Sequence, residues 1–311
     1  MDSETRSHDE QCPTCGRALS LSVVIPTFNR ADRLQRTIDA WSGQEEAGHF
    51  EVVVVDDGST DDTPAVLERL ASSRTRWIRQ TNQGLAASRN TGARTATGQY
   101  LVFSDDDDVP SPQFISELRK TLRSRCVRFI TCAARYVDAD GRVLTIDTPL
   151  IDVPLFKGFS GASRMPICVD RDLYRQVGGF DPEITGMEFT EFMLRLAPAL
   201  DLATETAILW TPLIDIETRP TDARPSRRPD LVRAGVEGVI ARHSSTLLER
   251  EPRALSNYHA IAGVAAFRMG DRRAGRSHMS AAFSIRPTLK GFSRLILAWT
   301  PGGWRFWASS D

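Results

Sequence analysis

Residues 50–58 read FEVVVVDDG, in which four consecutive valines are followed by two aspartates and a glycine. A β-branched run of this kind is typical of a strand buried on both faces of a sheet. Further short runs are LSVVIPTF (21–28), a weaker one at 77–80 and YLVFS (100–104). Helical spacing separates these runs, at residues 33–41, from Thr63 onward and at 84–95. The alternation predicts a doubly wound, Rossmann-like α/β sheet.

Polar residues follow three of these strands at the point where each one ends. Residues 27–29 follow the first strand, Asp56 and Asp57 follow the second, and four consecutive aspartates (105–108) follow the fourth. Ligands bind beyond the carboxyl ends of the strands in such sheets, so the three loops are predicted to share one site. No GxGxxG motif follows the first strand and no Walker loop occurs, which disfavours dinucleotide enzymes and P-loop nucleotidases.

The four aspartates predict a divalent cation. Placed together after a buried strand, they repel one another, and Mg²⁺ and Mn²⁺ prefer carboxylate oxygens as ligands. A solvated acidic turn before Pro110 is the alternative interpretation. The buried strand ahead of the run favours the metal.

The composition excludes several classes of protein. The chain has 311 residues, of which 41% are hydrophobic and 25% charged, as in ordinary globular proteins. Its net charge of −1 gives no reason to expect a nucleic-acid partner. The first eleven residues lack the apolar core of a signal peptide. The sequence also contains no run of 18 apolar residues, which a membrane span would require. Five scattered cysteines do not make a disulfide framework, so a cytoplasmic location is expected.

The chain changes character after residue 220. Residues 221–311 hold 15 basic and 7 acidic residues, whereas the preceding 220 hold 24 and 33. Only helical patterns occur there, and the segments 255–268 and 274–284 predict an αα-hairpin around Gly270. We therefore predict three parts, which are an N-terminal tail (1–19), an α/β domain (20–220) and an all-helical C-terminal region (221–311).

The segment 289–307 (LKGFSRLILAWTPGGWRFW) mixes three tryptophans with Lys290, Arg294 and Arg305. A basic and aromatic helix favours peripheral contact with an anionic membrane, here at its inner face. A docked helix with buried aromatic rings explains the pattern equally well.

Four segments resemble family 2 glycosyltransferases, which have the GT-A fold, in their order and spacing. They are SVVIPTFNR (22–30), EVVVVDDGSTDDT (51–63), NQGLAASRNTGARTATGQYLVFSDDDD (82–108) and VGGFDPE (177–183). The resemblance implies a GT-A-type mixed sheet with a donor half (about 20–132) and an acceptor half (about 133–220). It also implies an inverting, metal-assisted hexosyl transfer from a nucleotide sugar, with a UDP-sugar as the favoured donor and Mn²⁺ or Mg²⁺ as the cofactor. The expected partners are a saccharide, lipid-linked, small-molecule or peptide acceptor and a second copy in a homodimer.

The family pattern implies a role for each matching residue. Phe28 stacks on the nucleotide base, Asp57 accepts a hydrogen bond from the ring N–H of the base, and Arg89 lies near the diphosphate. Asp107 is the metal ligand of the Asp-x-Asp motif, and Asp105 or Asp106 holds the ribose or a metal-bound water. A capped turn for Asp57 and a surface ion pair for Arg89 are the alternatives. The implied donor-binding residues are Pro26, Thr27, Phe28, Asn29, Asp57, Arg89, Asp105 and Asp106.

The sequence departs from the family pattern where the general base is expected. The family carries Glu-Asp-x-Asp after Gly-Gly-Phe-Asp, with its first Asp as the base, but Phe189 stands there in this chain. Glu188 and Glu191 remain, on one face of a predicted helix, and either could take the acceptor proton. Alternatively, Glu191 pairs with Arg195 four residues further on.

Two other functions stay open. Phe189 favours a catalytically impaired, glycosyltransferase-like scaffold that binds a sugar nucleotide or a glycan without turnover. A nucleotidyltransferase also uses paired aspartates on an α/β sheet, but residues 26–30 lack the glycine-rich, basic loop that would hold a triphosphate.

The N-terminal segment contains Cys12-Pro13-Thr14-Cys15-Gly16, which resembles one knuckle of a zinc ribbon. A tetrahedral zinc site needs four ligands, and the sequence has no second Cys-x-x-Cys. His8 could be added as a ligand, but the number of ligands would still be below four. A disordered tail is therefore favoured over a zinc site. The other three cysteines are interpreted as small buried hydrophobic residues: Cys126, Cys132 and Cys168.

Overall fold

A computed structural model describes residues 11–45, 48–148, 166–218 and 228–308. Within these residues the chain divides into two compact units. The α/β unit comprises residues 11–45, 48–148, 166–180 and 195–218. The helical unit comprises residues 181–194 and 228–308.

The α/β unit is built on a mixed sheet. Its strands in the described residues are β1 (Leu21–Thr27), β2 (Phe50–Asp56), β3 (Thr75–Arg79), β4 (Tyr100–Phe103), β5 (Asp108–Pro110), β6 (Phe129–Val137), β7 (Val143–Asp147), β8 (Ile167–Asp170) and β9 (Thr206–Glu217). Their order across the sheet is β3-β2-β1-β4-β8-β6-β9-β5, and β7 pairs with β6. The strands β1 to β4 are mutually parallel, whereas β8 runs antiparallel to both β4 and β6. The doubly wound mixed sheet predicted from the sequence is confirmed.

Amphipathic helices cover this sheet. They are α1 (Ala31–Ser42), α2 (Thr63–Leu70), α3 (Leu85–Thr95), α4 (Phe114–Ser124) and α5 (Arg171–Gln176). The predicted apolar face of α1 is buried, and its Trp41 ring meets the edge of Phe114 with centroids 5.0 Å apart. In α3, a Cβ at Gly92 would collide with the side chain of Val24, so small residues let this helix lie directly on the sheet.

The helical unit surrounds its own core. Its helices are α6 (Glu188–Leu196, of which residues 188–194 belong to this unit), α7 (Pro229–Arg250), α8 (Pro252–Arg268), α9 (Arg272–Ile285), α10 (Leu289–Trp299) and α11 (Arg305–Ala308). The predicted helix pair is α8 and α9. Gly270, at φ +79°, reverses the chain between them, and Asp271 caps α9 by accepting a hydrogen bond from the N–H of Ala274 (3.0 Å). No helix in the described part of the chain has both the length and the apolar composition needed to cross a membrane.

Candidate active site

The first and fourth strands deliver their polar residues to one place at the end of the sheet. Thr27, the last residue of β1, donates a hydrogen bond from Oγ1 to Oδ2 of Asp106 at 2.7 Å. Thr37 of α1 donates from Oγ1 to the main-chain oxygen of the same aspartate at 2.9 Å. Two hydroxyl groups therefore hold the middle of the run Asp105–Asp108, which we call the acidic turn.

The acidic turn alternates between exposed and buried carboxylates. The side chains of Asp105 and Asp107 are 44% and 29% exposed, whereas that of Asp106 is 13% exposed and Asp108 is buried. Asp108 begins β5, and its Oδ2 accepts a hydrogen bond from the main-chain N–H of Asp105 at 3.1 Å. The i, i+2 pair Asp105 and Asp107 is thus the pair that a ligand can reach.

Burial and like charge make ionisation of this turn costly. Burial, with Asp107 and Asp105 nearby, raises the pKa of Asp106 to about 7, although Thr27 and Arg30 act in the opposite direction. Burial and Asp105 raise the pKa of Asp107, and burial raises that of Asp108 well above its ordinary value. Such crowding is typical of sites where a cation or a bound group relieves the repulsion.

Arginine side chains surround the acidic turn. Arg89 of α3 is buried and donates a hydrogen bond to Oδ1 of Asp105 at 2.6 Å. Its guanidinium carbon lies 5.2 Å from the centroid of the Phe180 ring, within the range of a cation–π contact. Arg30 Nε lies 3.8 Å from Asp106 Oδ1, and Arg33 Nη1 lies 3.7 Å from Asp107 Oδ2. These cations can bind the oxygens of a diphosphate beside the carboxylates.

Asp57 organises the loop that follows β3. Its Oδ1 accepts hydrogen bonds from the side chain of Gln80 (2.7 Å) and the main-chain N–H of Gln83 (2.9 Å), and its Oδ2 accepts one from the N–H of Gly84 (2.8 Å). A carboxylate offers roughly four acceptor positions, so about one remains for a ligand N–H. Gln80 could not be found from the sequence, because a glutamine outside the recognised motifs carries no signal of its own.

The loop after β1 is fixed by a residue in the left-handed region. Asn29, at φ +54°, accepts a hydrogen bond from the N–H of Thr60 at 2.8 Å and donates its own N–H to Ser59 Oγ at 2.9 Å. Phe28 beside it is 44% exposed, and its ring is open to stacking. Pro26 is buried inside β1 and stands one residue before Thr27, where the site begins.

Asn90 is a positioning residue that the sequence analysis missed. Its Nδ2 donates to the main-chain oxygen of Phe180 (2.8 Å), and its Oδ1 accepts from the N–H of Phe180 (2.9 Å) and the hydroxyl of Tyr174 (2.5 Å). Gly179, at φ +68°, would bring any Cβ to 2.8 Å from Asn90 Oδ1. The Gly-Gly-Phe motif therefore places the Phe180 ring under Arg89.

The two candidate base residues lie in the helical unit. Glu188, at the start of α6, is half-buried, and its Oε1 accepts a hydrogen bond from the N–H of Gly186 at 2.8 Å. Glu191 is 1% exposed, and its Oε1 lies 3.0 Å from Nε2 of His243 in α7. His243 could not be found from the sequence, because it lies 52 positions after Glu191 and belongs to no motif.

The profile described as Glycosyl transferase family 2 matches residues 22–161. An uncharacterized glycosyltransferase of Haemophilus influenzae is 28% identical over 183 residues, which cover 57% of this chain and 61% of that protein. The chain thus spans less than two thirds of this relative's length. The family resemblance predicted from four collinear motifs is confirmed.

Three solved structures of two proteins share the fold. S. aureus TarS has a TM-score of 0.63 at 16% identity, covering 94% of this chain and 55% of that chain. Its 1–349 form in complex with UDP-GlcNAc has a TM-score of 0.59 at 15% identity, covering 94% and 91%. The mannosyltransferase PcManGT of Pyrobaculum calidifontis, in complex with GDP-Man and Mn²⁺, has a TM-score of 0.52 at 19% identity, covering 93% and 83%. The predicted GT-A-type fold is confirmed.

Proposed function

We propose that this chain, whose residues 22–161 match the profile described as Glycosyl transferase family 2, is a glycosyltransferase. It moves a hexosyl group from a nucleoside-diphosphate sugar to a hydroxyl or other nucleophile, with inversion at the anomeric carbon. The observation that carries the proposal is the acidic turn at the end of the parallel strands, with Arg89 bound to its first carboxylate. Carboxylates and guanidinium groups side by side suit a ligand that is both anionic and metal-binding.

Donor binding is assigned to residues around the loops after β1, β2 and β4. Phe28 would stack on the base, and the remaining acceptor position of Asp57 would take the ring N–H of the base. Arg89 and Arg30 would bind the diphosphate oxygens. TarS with UDP-GlcNAc and PcManGT with GDP-Man support a nucleotide-sugar donor, and the exposed ring of Phe28 supports the stacking role. A UDP-sugar is the donor we favour.

The acidic turn fits a divalent cation. Its accessible ligands are hard carboxylate oxygens. Burial and like charge raise the pKa of Asp107, and a nearby cation would lower that pKa again because it favours the ionised carboxylate. Asp107 would be the principal ligand, with Asp105 beside it. A bound Mn²⁺ or Mg²⁺ would offset the negative charge that develops on the leaving diphosphate.

Glu188 is the residue we assign as the general base. A base must meet an acceptor hydroxyl that arrives from solvent, and Glu188 is partly exposed, whereas Glu191 is buried against His243. Glu188 would take the proton of the acceptor hydroxyl as its oxygen attacks the anomeric carbon. Glu191 would hold His243 in the core of the helical unit. The acceptor, whether a saccharide, a lipid-linked, a small-molecule or a peptide acceptor, stays a prediction, and so does the homodimer.

A thermal-shift panel tests the proposal. UDP-, GDP- and dTDP-sugars are added to the full chain with and without Mn²⁺, and we expect one donor at 100 times its Kd to raise Tm by about 5 °C or more, only with the metal. Slow hydrolysis of that donor without acceptor supports an enzyme. Binding without any turnover supports the scaffold that Phe189 suggests, and the absence of any nucleotide effect rejects both.

We also propose peripheral contact between the helical unit and an anionic membrane, from a cytoplasmic location. Four large apolar side chains of α10 are exposed on one helical face, at spacings of three, four and three: Leu289, Phe292, Ile296 and Trp299. We call this set the α10 stripe. Its opposite face is docked, with Ala298 and, after the helix, Trp307 buried against Phe267. One face of the helix is therefore docked, and the exposed α10 stripe supports the proposed membrane contact.

Charge indicates what covers the α10 stripe. Residues 252–308 contain nine basic residues and one acidic residue. A groove of about 300 Å³ between α8, α9 and the start of α10 is lined by four of these cations: Arg253, Arg286, Lys290 and Arg294. An apolar face rimmed by cations matches the boundary between acyl chains and anionic headgroups.

Vesicle sedimentation tests the membrane contact. The full chain should bind phosphatidylcholine vesicles that contain phosphatidylglycerol at least about tenfold better than pure phosphatidylcholine vesicles. Phe292→Ser with Ile296→Ser should abolish this binding, whereas Leu248→Ser, which replaces a similarly exposed residue of α7, should leave it unchanged. Equal binding to neutral vesicles, or full binding by the double variant, rejects the contact. Removal of residues after 286 should likewise abolish it and spare donor binding.

A further inference from the structure

Residues 11–19 form a tight turn that presents two cysteines. Gln11 and Ala18 make an antiparallel bridge, and the N–H of Cys12 donates to the main-chain oxygen of Arg17 at 2.8 Å. The N–H of Gly16 donates back to the oxygen of Cys12 at 2.8 Å, with Gly16 in the left-handed region at φ +70°. Cys12 is buried in this turn and Cys15 is exposed at its edge. This part of the predicted tail is therefore an ordered structure.

A third cysteine reaches the turn from a distant part of the chain. Cys126 follows α4, 114 positions after Cys12, and its Sγ lies 3.7 Å from Cys12 Sγ. The Sγ atoms of Cys12, Cys15 and Cys126 all lie within 4.8 Å of one another. Tetrahedral zinc with Zn–S bonds of about 2.3 Å requires sulfur atoms about 3.8 Å apart, so little movement would bring all three sulfurs onto one ion. Three cysteine sulfurs so close together repel one another once deprotonated, unless a soft cation joins them.

We propose that Cys12, Cys15 and Cys126 bind a structural zinc ion, separate from the acidic turn. Each thiol loses its proton and gives a Zn–S bond, so three protons leave as the ion enters. Because Cys15 is exposed, the fourth tetrahedral position is accessible to water. The ion ties the N-terminal turn to the segment that connects α4 with β6.

Local spacing argues against this site, because a single Cys-x-x-Cys supplies only two ligands. From the sequence, Cys126 is interpreted as a small buried hydrophobic residue, and only the fold brings it to the other two cysteines. Cys132 and Cys168 fit that interpretation, since both are buried in the sheet and burial raises the pKa of each thiol. Cys126 differs because it lies against two other sulfurs.

Metal analysis of the full chain, purified without chelator, tests the proposal. We expect about one zinc ion per chain, and less than about 0.2 in Cys12→Ser, Cys15→Ser and Cys126→Ser. Cys132→Ala and Cys168→Ala are the matched controls and should keep the full content. Cys15→Ser is the decisive variant, because its exposed side chain can change without disturbing the core, and circular dichroism verifies its fold.

Cobalt titration of the metal-free protein gives a second measurement. Co²⁺ should produce an intense thiolate-to-metal absorption band that weakens by roughly a third with each single cysteine variant. A chain without zinc and without a thiolate–cobalt band overturns the proposal, as does a disulfide between any two of the three cysteines.

Discussion

The α/β unit and the helical unit place their charged residues in opposite ways. In the α/β unit, Asp106, Asp107 and Asp108 crowd together at the end of the sheet, and burial raises the pKa of each. In the helical unit, the buried carboxylate of Glu191 has His243 as a partner, and most of the excess positive charge after residue 252 lies on exposed side chains. Buried like charges weaken the fold until a ligand arrives, whereas exposed ones attract a partner from a distance.

The largest expected effect comes from Asp107→Asn. Removing one of the crowded charges should raise Tm slightly in the absence of metal, because the ionised form of Asp107 is disfavoured in the fold. The same change should lower Mn²⁺-dependent affinity for the donor at least about a hundredfold. Thermal unfolding and titration calorimetry measure the two effects.

Asp172→Asn is the matched control for that experiment. Its side chain is 70% exposed on α5 and lies near Arg175, so neither Tm nor donor affinity should change appreciably. If Asp107→Asn bound the donor with full affinity in Mn²⁺, Asp107 would not be the metal ligand.

Substitutions of the two glutamates separate catalysis from packing. Glu188→Gln should lower kcat at least about a hundredfold and leave the Kd of the donor within about threefold, because the base acts on the acceptor. Glu191→Gln should change kcat less and instead lower Tm, since it weakens a buried pair with His243. Steady-state kinetics and thermal unfolding distinguish the two.

The reverse ranking of these two variants would assign the base to Glu191. Two variants with normal turnover would place the base outside α6. Phe189→Asp restores the residue of the family pattern, and a gain in kcat from it would mean that Phe189 impairs the native chain.

The smallest effect is a pH dependence confined to the helical unit. Burial, with His278 nearby, lowers the pKa of His259 to about 4, below its ordinary 6.5. The unfolded chain therefore takes up this proton first, and stability falls as the pH drops from about 6.5 towards 4. The loss at pH 5 should be on the order of 1–2 kcal/mol.

Hydrogen exchange of α8 and α9 at pH 7 and pH 5 measures that loss. His278 faces His259, with their Nδ1 atoms 3.0 Å apart, and Glu237 Oε1 lies 3.1 Å from Nε2 on the far side of His278. His259→Gln should flatten the pH dependence, whereas His49→Gln, in the other unit, should preserve it. Equal protection of wild-type α8 at both pH values would contradict the assignment.

The sequence predicted the fold well where the local pattern of apolar residues is enough to mark a strand or a helix. The runs at β1, β2 and β4, and the apolar face of α1, needed only local periodicity, and the observed bounds agree within a few residues. The mixed half of the sheet is different. The pairing of β6 with both β8 and β9 depends on packing across long stretches of chain, which no local pattern encodes.

The same distinction applies to the candidate sites. Asp57, Arg89 and the acidic turn lie in short motifs and were found, although their roles stay predictions. Asn90, His243 and Cys126 owe their importance to partners 90, 52 and 114 positions away, respectively. When the importance of a side chain depends on a distant partner, its neighbours in the chain do not identify that partner.

The left-handed conformation of Asn29 bears on the thermodynamics of ligand capture. Its hydrogen bonds to Ser59 and Thr60 fix the loop after β1 before any ligand is present. Ordering a flexible side chain on association costs about 0.5–1.5 kcal/mol, and a loop that is already fixed avoids much of that loss. Asparagine tolerates this backbone better than most residues, so an alanine here would strain the loop and loosen it. Calorimetry should therefore find a small unfavourable entropy of donor binding in the native chain and a larger one in Asn29→Ala.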